Sequence, residues 1–450
     1  MPGEKIRTSS VVMMPYHGDV VDSQNKWRRL VKENFSLIGK EGRDRFGPLC
    51  AGIWGGMKTQ SVLDRIEKIR ENGLPFEYIW MDAGRYGIDT KPSPDEFEGD
   101  WWSRTGDWRV SPNVHPQGLK DVSKAAHDAG MKFLLWFEPE RAVKTTPAAI
   151  NHPEYFLPSD NPNEQNCLLN LGNEEAWEYC YKLLSKLIEE LNIDCYRQDF
   201  NFSPLAFWRR NDAPDRRGIT EIKHVCGLYR LWDALLGKFS HLIIDNCASG
   251  GRRIDIETLR RSVPLWRSDH QCPANYDVEA SQCHNLSFNN WMPYSGTGSG
   301  RGYDEYRIRS SYAAALTTNY AYSERENFCD TDEKVDFLKK YTEEYLKVRP
   351  YFSEDFYPLT EMSEKLDIWC AMQFNRSEEG DGIIEVFRRE NAPYETARFM
   401  LRGLNRSADY LFHDADGGEF RLSGKELAEN GIKITVPEKR KAKIYFYKTI

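Results

Sequence analysis

Arg197 and Asp199 lie two residues apart in the stretch CYRQDFN, residues 195–201, at the end of the apolar run LNIDCY. The run predicts a buried strand, and residues two apart on a strand point to the same face of the sheet. The guanidinium and the carboxylate would therefore share one cavity, where each needs a partner or a substrate. A purely structural ion pair between them is the alternative interpretation.

Four further predicted strands also end in polar residues. The strand end WMDAG supplies Asp82, and WFEPER supplies Glu138, Glu140 and Arg141. The strand end DNCASGGRR supplies Asp245, Cys247 and Arg253, and WRSDH supplies Asp269. Beside these segments stand Trp54, Trp80, Trp136 and Trp266. Charged groups next to aromatic faces are typical of a sugar site, because the rings cover the C–H surface of a sugar while the charged groups bind its hydroxyls. The alternative is that these tryptophans are simply core residues.

Two of these carboxylates form the candidate catalytic pair. Glycoside hydrolysis needs one carboxylate to attack the anomeric carbon or activate water, and another to protonate the leaving oxygen. Asp199 is the predicted nucleophile, because the neighbouring Arg197 favours its ionised form. Asp269 is the predicted acid/base, because it enters a loop beside His270 where its pKa can be higher.

Simpler interpretations compete for the other polar residues. The charged residues of 138–141 could form only a salt-bridge cluster in a loop. Cys247 fits a small buried residue better than a nucleophile, since no histidine stands at a suitable spacing. The glycines around Gly250 predict a tight turn or a close approach of the backbone to a ligand. GTGSGRG at 296–302 lacks the strand–helix frame and the lysine of a phosphate loop, so a lid or a plain loop is expected.

An alternation of elements from about residue 45 to residue 345 has to position these side chains. Strands are predicted for the segments PLCAGIW, PFEYIWMDAG, MKFLLWFEPE and SHLIIDNCASGG. Helices between them are predicted for SVLDRIEKIRENG and EAWEYCYKLLSKLIEEL. VPLWRSDH is the predicted sixth strand, NWMPYSGTGSG the seventh, and YAAALTTNYAY supplies the last. Strands that are apolar on both faces indicate a parallel sheet covered by helices. About eight such units favour a (β/α)8 barrel, whose working residues lie at the C-terminal strand ends.

The chain divides into three predicted parts. Residues 1–44 form an N-terminal linker segment, residues 45–350 the catalytic (β/α)8 barrel, and residues 351–450 a C-terminal antiparallel β-sandwich. The last part contains short alternating runs such as LDIWCAMQFN and GDGIIEVFRR, divided by Gly, Asn and Asp, which is typical of an all-β module. The length also indicates two domains, because single cores stop growing near ~250–300 residues.

Composition narrows the class of function. The net charge of −8 without a Lys/Arg block argues against nucleic acid as a partner. A cytoplasmic protein without a membrane partner is expected, because neither an N-terminal signal pattern nor an apolar run of ~18 residues is present. Ten cysteines without a C-x-x-C pair predict reduced thiols, and nine histidines without a metal-binding spacing predict no metal site. A metal-dependent amidohydrolase is disfavoured for the same reason.

Several of these segments, in this order, resemble glycoside hydrolase family 36, in the clan of retaining α-galactosidases and α-N-acetylgalactosaminidases. Residues 197–201, Arg-Gln-Asp-Phe-Asn, stand where the family has Lys-Trp-Asp-x-Asn with its nucleophile. CASGGRRID at 247–255 is similar to the family's Cys-Ser-Gly-Gly turn, and Trp266–Asp269 to its Trp-x-Ser-Asp acid/base motif. WFEPE at 136–140 and GDWRVSPNVHPQGLK at 106–120 also look like the family. The resemblance does not include the family's N-terminal β-sandwich.

The resemblance implies double displacement, in which Asp199 forms a covalent glycosyl-enzyme and Asp269 first protonates the leaving oxygen and then deprotonates water. It implies carboxyl groups ~5–5.5 Å apart, whereas ~6.5–9.5 Å would indicate inversion. No cofactor is implied, the partner is an α-linked oligosaccharide or glycoconjugate, and a homo-oligomer stays open. The predicted substrate-binding residues are Trp54, Asp82, Arg85, Trp136, Glu138, Arg197, Asn201, Cys247, Gly250, Arg253, Trp266 and Arg267.

Two differences from the family bear on which sugar is bound. The family's Asp-Asp-Gly-Trp, whose aspartates bind the hydroxyls at C4 and C6 of galactose in relatives, reads Asp82-Ala83-Gly84-Arg85 here. Arg197 replaces a lysine, and a planar fork makes different bonds from a point charge. Terminal α-galactose-type sugars are the expected substrates, with galactosamine, N-acetylgalactosamine and galactosyl transfer as alternatives. A non-catalytic glycan-binding barrel is the alternative from another class.

Overall fold

The computed structural model of the chain describes residues 3, 5–40 and 42–450. Residues 1, 2, 4 and 41 of the predicted linker segment lie outside the described residues. The helices are α1 Val20–Asn34, α2 Thr59–Glu71, α3 Lys120–Asp128, α4 Pro147–Asn151, α5 Glu174–Glu190, α6 Leu205–Asn211, α7 Ile219–Lys238, α8 Ile256–Leu259, α9 Val278–Phe288, α10 Glu305–Ser310, α11 Asp332–Val348 and α12 Gly424–Asn430.

The strands fall into a barrel group and a C-terminal group. The first group is β1 Leu49–Ile53, β2 Tyr78–Met81, β3 Lys132–Phe137, β4 Arg141–Val143, β5 Phe156–Leu157, β6 Asn166–Leu169, β7 Cys195–Gln198, β8 Ile243–Asn246, β9 Gly296–Gly298 and β10 Ala315–Thr318. The second is β11 Asp355–Pro358, β12 Trp369–Arg376, β13 Asp381–Arg388, β14 Thr396–Phe399, β15 Asp409–Asp414, β16 Glu419–Ser423, β17 Ile432–Thr435 and β18 Lys441–Thr449.

A curved parallel sheet forms the first part of the molecule. In the described chain its strand order is β8-β7-β3-β2-β1-β10-β9, and almost every residue of these strands is buried. Burial on both faces explains why the strands read as continuous apolar runs. The predicted barrel fold class is confirmed, and the carboxyl ends of its strands meet at one end of the barrel.

The predicted sixth strand, VPLWRSDH, is the irregular part of this barrel. Val263 forms a parallel bridge with Asp245, and its backbone N donates to the carbonyl of Ile244 at 2.9 Å. On the other side, the backbone N of Gly296 donates to the carbonyl of Pro264 at 2.7 Å. The segment therefore closes the barrel between β8 and β9. It is not a regular strand, because Pro264 has no N–H to continue a hydrogen-bond ladder.

A small antiparallel sheet after β3 was not predicted. Its strand order is β4-β6-β5, and its strands are two to four residues long. Such short strands carry too few residues for an alternating pattern to be recognised in the sequence. The sheet lies between β3 and helix α5 in the chain, so it lengthens one of the loops at the carboxyl end of the barrel.

The C-terminal part consists of antiparallel sheets, as predicted for the fold class. Six strands pair in the order β11-β12-β13-β18-β15-β16, and β14 pairs with β17. A separate apolar core, which includes Ile384, Val386, Phe412 and Tyr447, lies between them. The buried Arg309 of the barrel part binds Asp416 of this part at 2.7 Å, so the two parts are joined by a buried ion pair.

The N-terminal segment contributes helix α1, which packs against β11. Its buried Arg28 donates to the backbone carbonyls of Phe352 at 2.7 Å, Glu354 at 2.8 Å and Asn289 at 2.6 Å. Its Asn25 accepts from the backbone N of Phe356 at 2.7 Å. The helix therefore ties barrel and C-terminal part together. No helix in the described part of the chain is both long and apolar enough to cross a membrane.

Candidate active site

A cavity lies at the carboxyl ends of the barrel strands. Its volume is about 130 Å³, well above the roughly 10–15 Å³ that one water needs, so an organic ligand can enter. The lining residues are Trp54, Trp80, Trp101, Trp136, Trp266 and Tyr322; Asp82, Glu96, Asp199 and Asp269; and Gly52, Ala83, Arg197, Asn201, Cys272, Thr317 and Asn319. The cavity thus brings together both predicted catalytic residues and six predicted substrate-binding residues, between aromatic walls.

Asp199 follows β7 and is held by several hydrogen bonds. Its Oδ1 accepts from the backbone N of Ser249 at 3.1 Å, and its Oδ2 accepts from Trp136 Nε1 at 3.1 Å and from Asn201 Nδ2 at 2.9 Å. Burial raises the pKa of this carboxyl, but the charge of Arg197 and the hydrogen bonds outweigh burial and leave the pKa below its ordinary value. The side chain is therefore an ionised carboxylate at neutral pH, as a nucleophile must be.

Arg197 lines the same cavity as Asp199, as their spacing predicts. Its guanidinium forms an ion pair with Asp245 and lies over the ring of Trp80, 4.4 Å from the ring centroid. Strand register explains this pair, since Arg197 of β7 stands directly opposite Asp245 of β8. The alternative interpretation, a structural ion pair between Arg197 and Asp199, is therefore wrong, because the ion-pair partner of Arg197 is Asp245.

Asp269 begins a short turn that follows the irregular sixth strand. Its Oδ1 accepts a hydrogen bond from Trp266 Nε1 at 3.1 Å. Burial and, next, the nearby charge of Asp199 raise the pKa of this carboxyl above its ordinary value. The two predicted catalytic carboxyls therefore have opposite pKa shifts, which is the pattern of a nucleophile paired with a general acid.

Some of the predicted substrate-binding residues do not line the cavity. They are Arg85, Glu138, Cys247, Gly250, Arg253 and Arg267. Direct contact between these side chains and a ligand in this cavity is therefore not supported by the geometry. These six residues lie in different places, and the position of each has its own physical reason.

Glu138 contacts Asp199 only indirectly, through Asn201. Its Oε1 accepts from the backbone N of Asn201 at 2.5 Å, and its Oε2 accepts from Arg141 Nη2 at 2.7 Å. Since Asn201 in turn binds Asp199, Glu138 helps to position Asp199 without lining the cavity. The alternative of a salt-bridge cluster at residues 138–141 thus describes the pair Glu138–Arg141 correctly.

Arg253 belongs to a second buried network below the cavity. Its Nη1 donates to Glu140 at 2.5 Å, and Glu140 also binds Gln198 Nε2 at 2.7 Å and His224 Nε2 at 2.8 Å. Burial raises the pKa of Glu140, but the charge of Arg253 and the bond with His224 outweigh burial and lower the pKa to about 2. Glu140 is thus a fixed anion that uses Arg253 as its partner.

Arg85 and Arg267 are buried in the barrel wall. The Arg85 guanidinium lies 4.5 Å from the ring centroid of Phe137, and Arg267 donates to Ser295 Oγ at 3.2 Å. Burial lowers the pKa of Arg85 to about 10 and that of Arg267 to about 9. Arg267 follows the cavity residue Trp266 in an extended segment, so its side chain points to the opposite face.

Cys247 and Gly250 lie in the turn that packs behind Asp269. Cys247 is fully buried, as its simpler interpretation expects. Gly250 has φ +79°, and a Cβ there would approach the backbone N of Asp269 to 2.8 Å. The glycine is therefore required for close packing of two backbone segments, and not for contact with a ligand.

The cavity also contains residues that the sequence interpretation did not include in the site. Asn319 and Tyr322 follow β10 and could have been found by the same strand-end argument. Glu96 and Trp101 come from the long insertion between β2 and α3, where spacing gives no indication of which residues return to the barrel.

The fold and the cavity define a (β/α)8 barrel protein with a ligand cavity at the carboxyl ends of its strands. More specifically, the sequence matches the melibiase family over residues 8–279, more than half of the chain, and the chain belongs to that family. The predicted kinship with glycoside hydrolase family 36 is confirmed by this match and by the relatives and solved structures that the chain resembles.

Curated relatives are α-galactosidases at low sequence identity. Mel36A of Lactobacillus acidophilus is 23% identical over 465 residues, covering 100% of this chain and 60% of that protein. AgaA of Geobacillus stearothermophilus is 24% identical over 428 residues, covering 91% and 56%. The solved structure of AgaA superimposes with a TM-score of 0.80 at 20% identity, covering 96% of this chain and 59% of that chain. This chain thus spans little more than half the length of these relatives.

Proposed function

We propose that this protein is a retaining exo-α-glycosidase that removes terminal α-galactose-type sugars by double displacement. The observation that carries the proposal is that the carboxyls of Asp199 and Asp269, from two strand ends, line one cavity between aromatic walls, with the pKa of Asp199 lowered and that of Asp269 raised. An ionised and a protonated carboxyl are the two groups that the first half-reaction consumes. The class of sugar rests on the relatives, since variants of the α-galactosidase AgaA have been solved in complexes with stachyose and raffinose.

Each half-reaction uses both carboxyls. First, an oxygen of Asp199 attacks the anomeric carbon, and the bond to the leaving oxygen breaks as Asp269 gives that oxygen its proton. Next, Asp269 takes a proton from water, and the water oxygen attacks the anomeric carbon and releases Asp199. Two inversions retain the α configuration. A sugar hydroxyl in place of water would give galactosyl transfer from the same intermediate.

The cavity supplies orientation as well as reactivity. Trp136 and Asn201 hold one oxygen of Asp199 through hydrogen bonds, which leaves the carboxylate with a fixed direction of attack. Trp80 and Trp266 contribute aromatic faces, with ring centroids 6.1 Å apart, against which the apolar side of a sugar can pack. Catalysis in this arrangement comes from positioned side chains of the chain itself.

The test is hydrolysis of 4-nitrophenyl α-galactoside by wild type and Asp199→Asn. We expect wild type to release the α-anomer first, as detected by NMR, and the variant to lose at least about 10³-fold in kcat because its amide cannot attack. The matched control is Asp128→Asn, which changes an exposed carboxylate on α3 and should leave the rate unchanged. Full activity of Asp199→Asn, or first release of the β-anomer, would contradict the proposal.

The α-glycosides of galactosamine and N-acetylgalactosamine belong in the same assay. Ala83 lines the cavity next to Asp82, and its methyl group offers no hydrogen bond to a sugar hydroxyl. A ratio of kcat/KM that favours galactose assigns the proposed sugar. A ratio that favours either amino sugar keeps the mechanism and changes the specificity.

A further inference from the structure

Glu96 is a cavity residue that the proposed double displacement does not use. It comes from the insertion between β2 and α3, together with Trp101. The reaction is complete with Asp199 and Asp269, so a further carboxyl in the cavity needs another explanation. A buried carboxyl costs free energy unless it has partners or binds a ligand, and this cost makes its position informative.

The segment that carries Glu96 is anchored to the cavity wall. Ser93 Oγ accepts a hydrogen bond from Trp54 Nε1 at 2.9 Å, and the carbonyl of Pro94 accepts from the backbone N of Glu324 at 3.0 Å. The backbone on one side of Glu96 is therefore fixed to the end of β1 and to the segment after β10. The carboxyl is held in place before a ligand arrives.

Arg301 holds the Glu96 carboxyl from the side of the β9 loop. One nitrogen, Nη2, donates to both carboxyl oxygens at 3.2 Å, and the guanidinium lies 5.2 Å from the ring centroid of Tyr322. A carboxylate can accept about four hydrogen bonds, and Arg301 and the backbone N–H of Glu96 itself use only part of this capacity. Of the Glu96 side chain, 19% stays exposed.

The surroundings of Glu96 also indicate that its carboxyl can bind a further hydrogen-bond donor. Burial, together with the nearby charge of Asp82, raises the pKa of Glu96 to about 7, although the charge of Arg301 acts against this rise. Asp82 accepts from the backbone N of Ala83 at 2.7 Å, and Ala83 itself has no polar side-chain atom. Glu96 is therefore, with Asp82, a carboxyl of this wall that has capacity to bind a further donor.

We infer, on the basis of the proposed function, that Glu96 is a specificity-determining residue that accepts a hydrogen bond from one ring hydroxyl of the bound sugar. Arg301 is its positioning residue. The ligand class is a sugar with a hydroxyl at that ring position, away from the bond that is cleaved. The insertion between β2 and α3 thus takes part in sugar recognition.

The test combines Glu96→Gln with a series of substrates that each lack one hydroxyl. Wild type, Glu96→Gln and the control Glu98→Gln are assayed with 4-nitrophenyl α-galactoside and its 2-, 3-, 4- and 6-deoxy analogues. Glu98 suits the control because it lies in the same insertion, is 45% exposed and pairs with Arg325. Thermal unfolding of each variant checks that the fold is retained.

We expect Glu96→Gln to lose roughly 10- to 100-fold in kcat/KM on the parent substrate. For one deoxy analogue the loss should disappear, because the hydroxyl that binds Glu96 is already missing. Glu98→Gln should behave as wild type throughout. If Glu96→Gln fails to fold, Glu96→Asp, which keeps the charge and shortens the side chain, should give the same dependence on that one hydroxyl.

The outcomes separate this inference from the proposed function. An equal loss on every substrate would mean that Glu96 only supports Arg301, and unchanged rates would mean that it has no role in recognition; either result overturns the inference alone. A wild-type protein without activity on any of the aryl α-glycosides would overturn the proposed function, and the inference with it.

Discussion

The hydrogen bond from Trp136 to the nucleophile can be removed with little change in shape. Trp136→Phe keeps an aromatic ring against Tyr86, whose ring stacks at 5.6 Å between centroids, but it deletes the Nε1 donor to Asp199. A hydrogen bond to a charged group contributes about 1.5–3 kcal/mol. One pKa unit corresponds to about 1.36 kcal/mol, so the loss of this hydrogen bond should raise the pKa of Asp199 by about one to two units. Because Asp199 keeps its other hydrogen-bond donors, we expect the smaller of these two rises in its pKa.

The sign of the effect on activity follows from the roles of the two carboxyls. Activity needs ionised Asp199 and is lost as the pH falls through its pKa, so the acid limb of the kcat/KM profile should move to higher pH by about one unit. The basic limb reports loss of the proton from Asp269, whose donor Trp266 is untouched. The basic limb should therefore stay in place. The assay is kcat/KM for 4-nitrophenyl α-galactoside measured across pH.

The matched control is Trp108→Phe. Trp108 packs 6.3 Å from Trp136 between ring centroids but does not line the cavity. The same substitution there should move neither limb. If Trp136→Phe folds normally, as judged by its melting temperature, and its acid limb coincides with that of wild type, the hydrogen bond does not set the pKa of Asp199.

Two further predictions concern the acid and the fold. Asp269→Ala should lose roughly 10²–10⁴-fold in kcat/KM on a phenyl α-galactoside. From a 2,4-dinitrophenyl substrate it should still form the glycosyl-enzyme at a near wild-type rate in stopped-flow measurements, because that leaving group needs no proton. Equal losses on both substrates would argue against the acid role. Arg28→Ala should lower the free energy of unfolding in urea by about 3 kcal/mol or more, since the buried carbonyls of Phe352 and Asn289 lose their donor. Lys26→Ala, which removes an exposed side chain of the same helix, should cost less than about 1 kcal/mol.

The strand-end argument predicted the centre of the site because it needs only the order of elements. Arg197, Asp199 and Asp269 lie at the ends of predicted strands, and parallel strands bring their carboxyl ends to one place. The partner of Arg197 was not predictable in this way. Its ion pair with Asp245 depends on the register between β7 and β8, which the pattern of each single strand does not contain.

Other features required information that no local pattern holds. Glu96 reaches the cavity through an insertion that has no periodicity, so its position follows from tertiary contacts such as the one with Arg301. Pro264 turned a predicted strand into an irregular segment, although its neighbours still close the barrel. Arg267 was assigned to the cavity from its motif, whereas alternation along an extended segment places it on the other face.

Hydrogen bonds distinguish Asp199 from the other carboxyls around Arg197. The charge of Arg197 lowers the pKa of Asp82, Asp199, Asp245 and Asp269, yet burial still leaves three of them with a raised pKa. Asp199 alone of these has a lowered pKa, and it accepts from two backbone N–H groups, a tryptophan and an asparagine. These donors come from the turn after β7, from the turn after β8 and from β3, so the meeting of three strand ends, added to the charge of Arg197, lowers the pKa of Asp199.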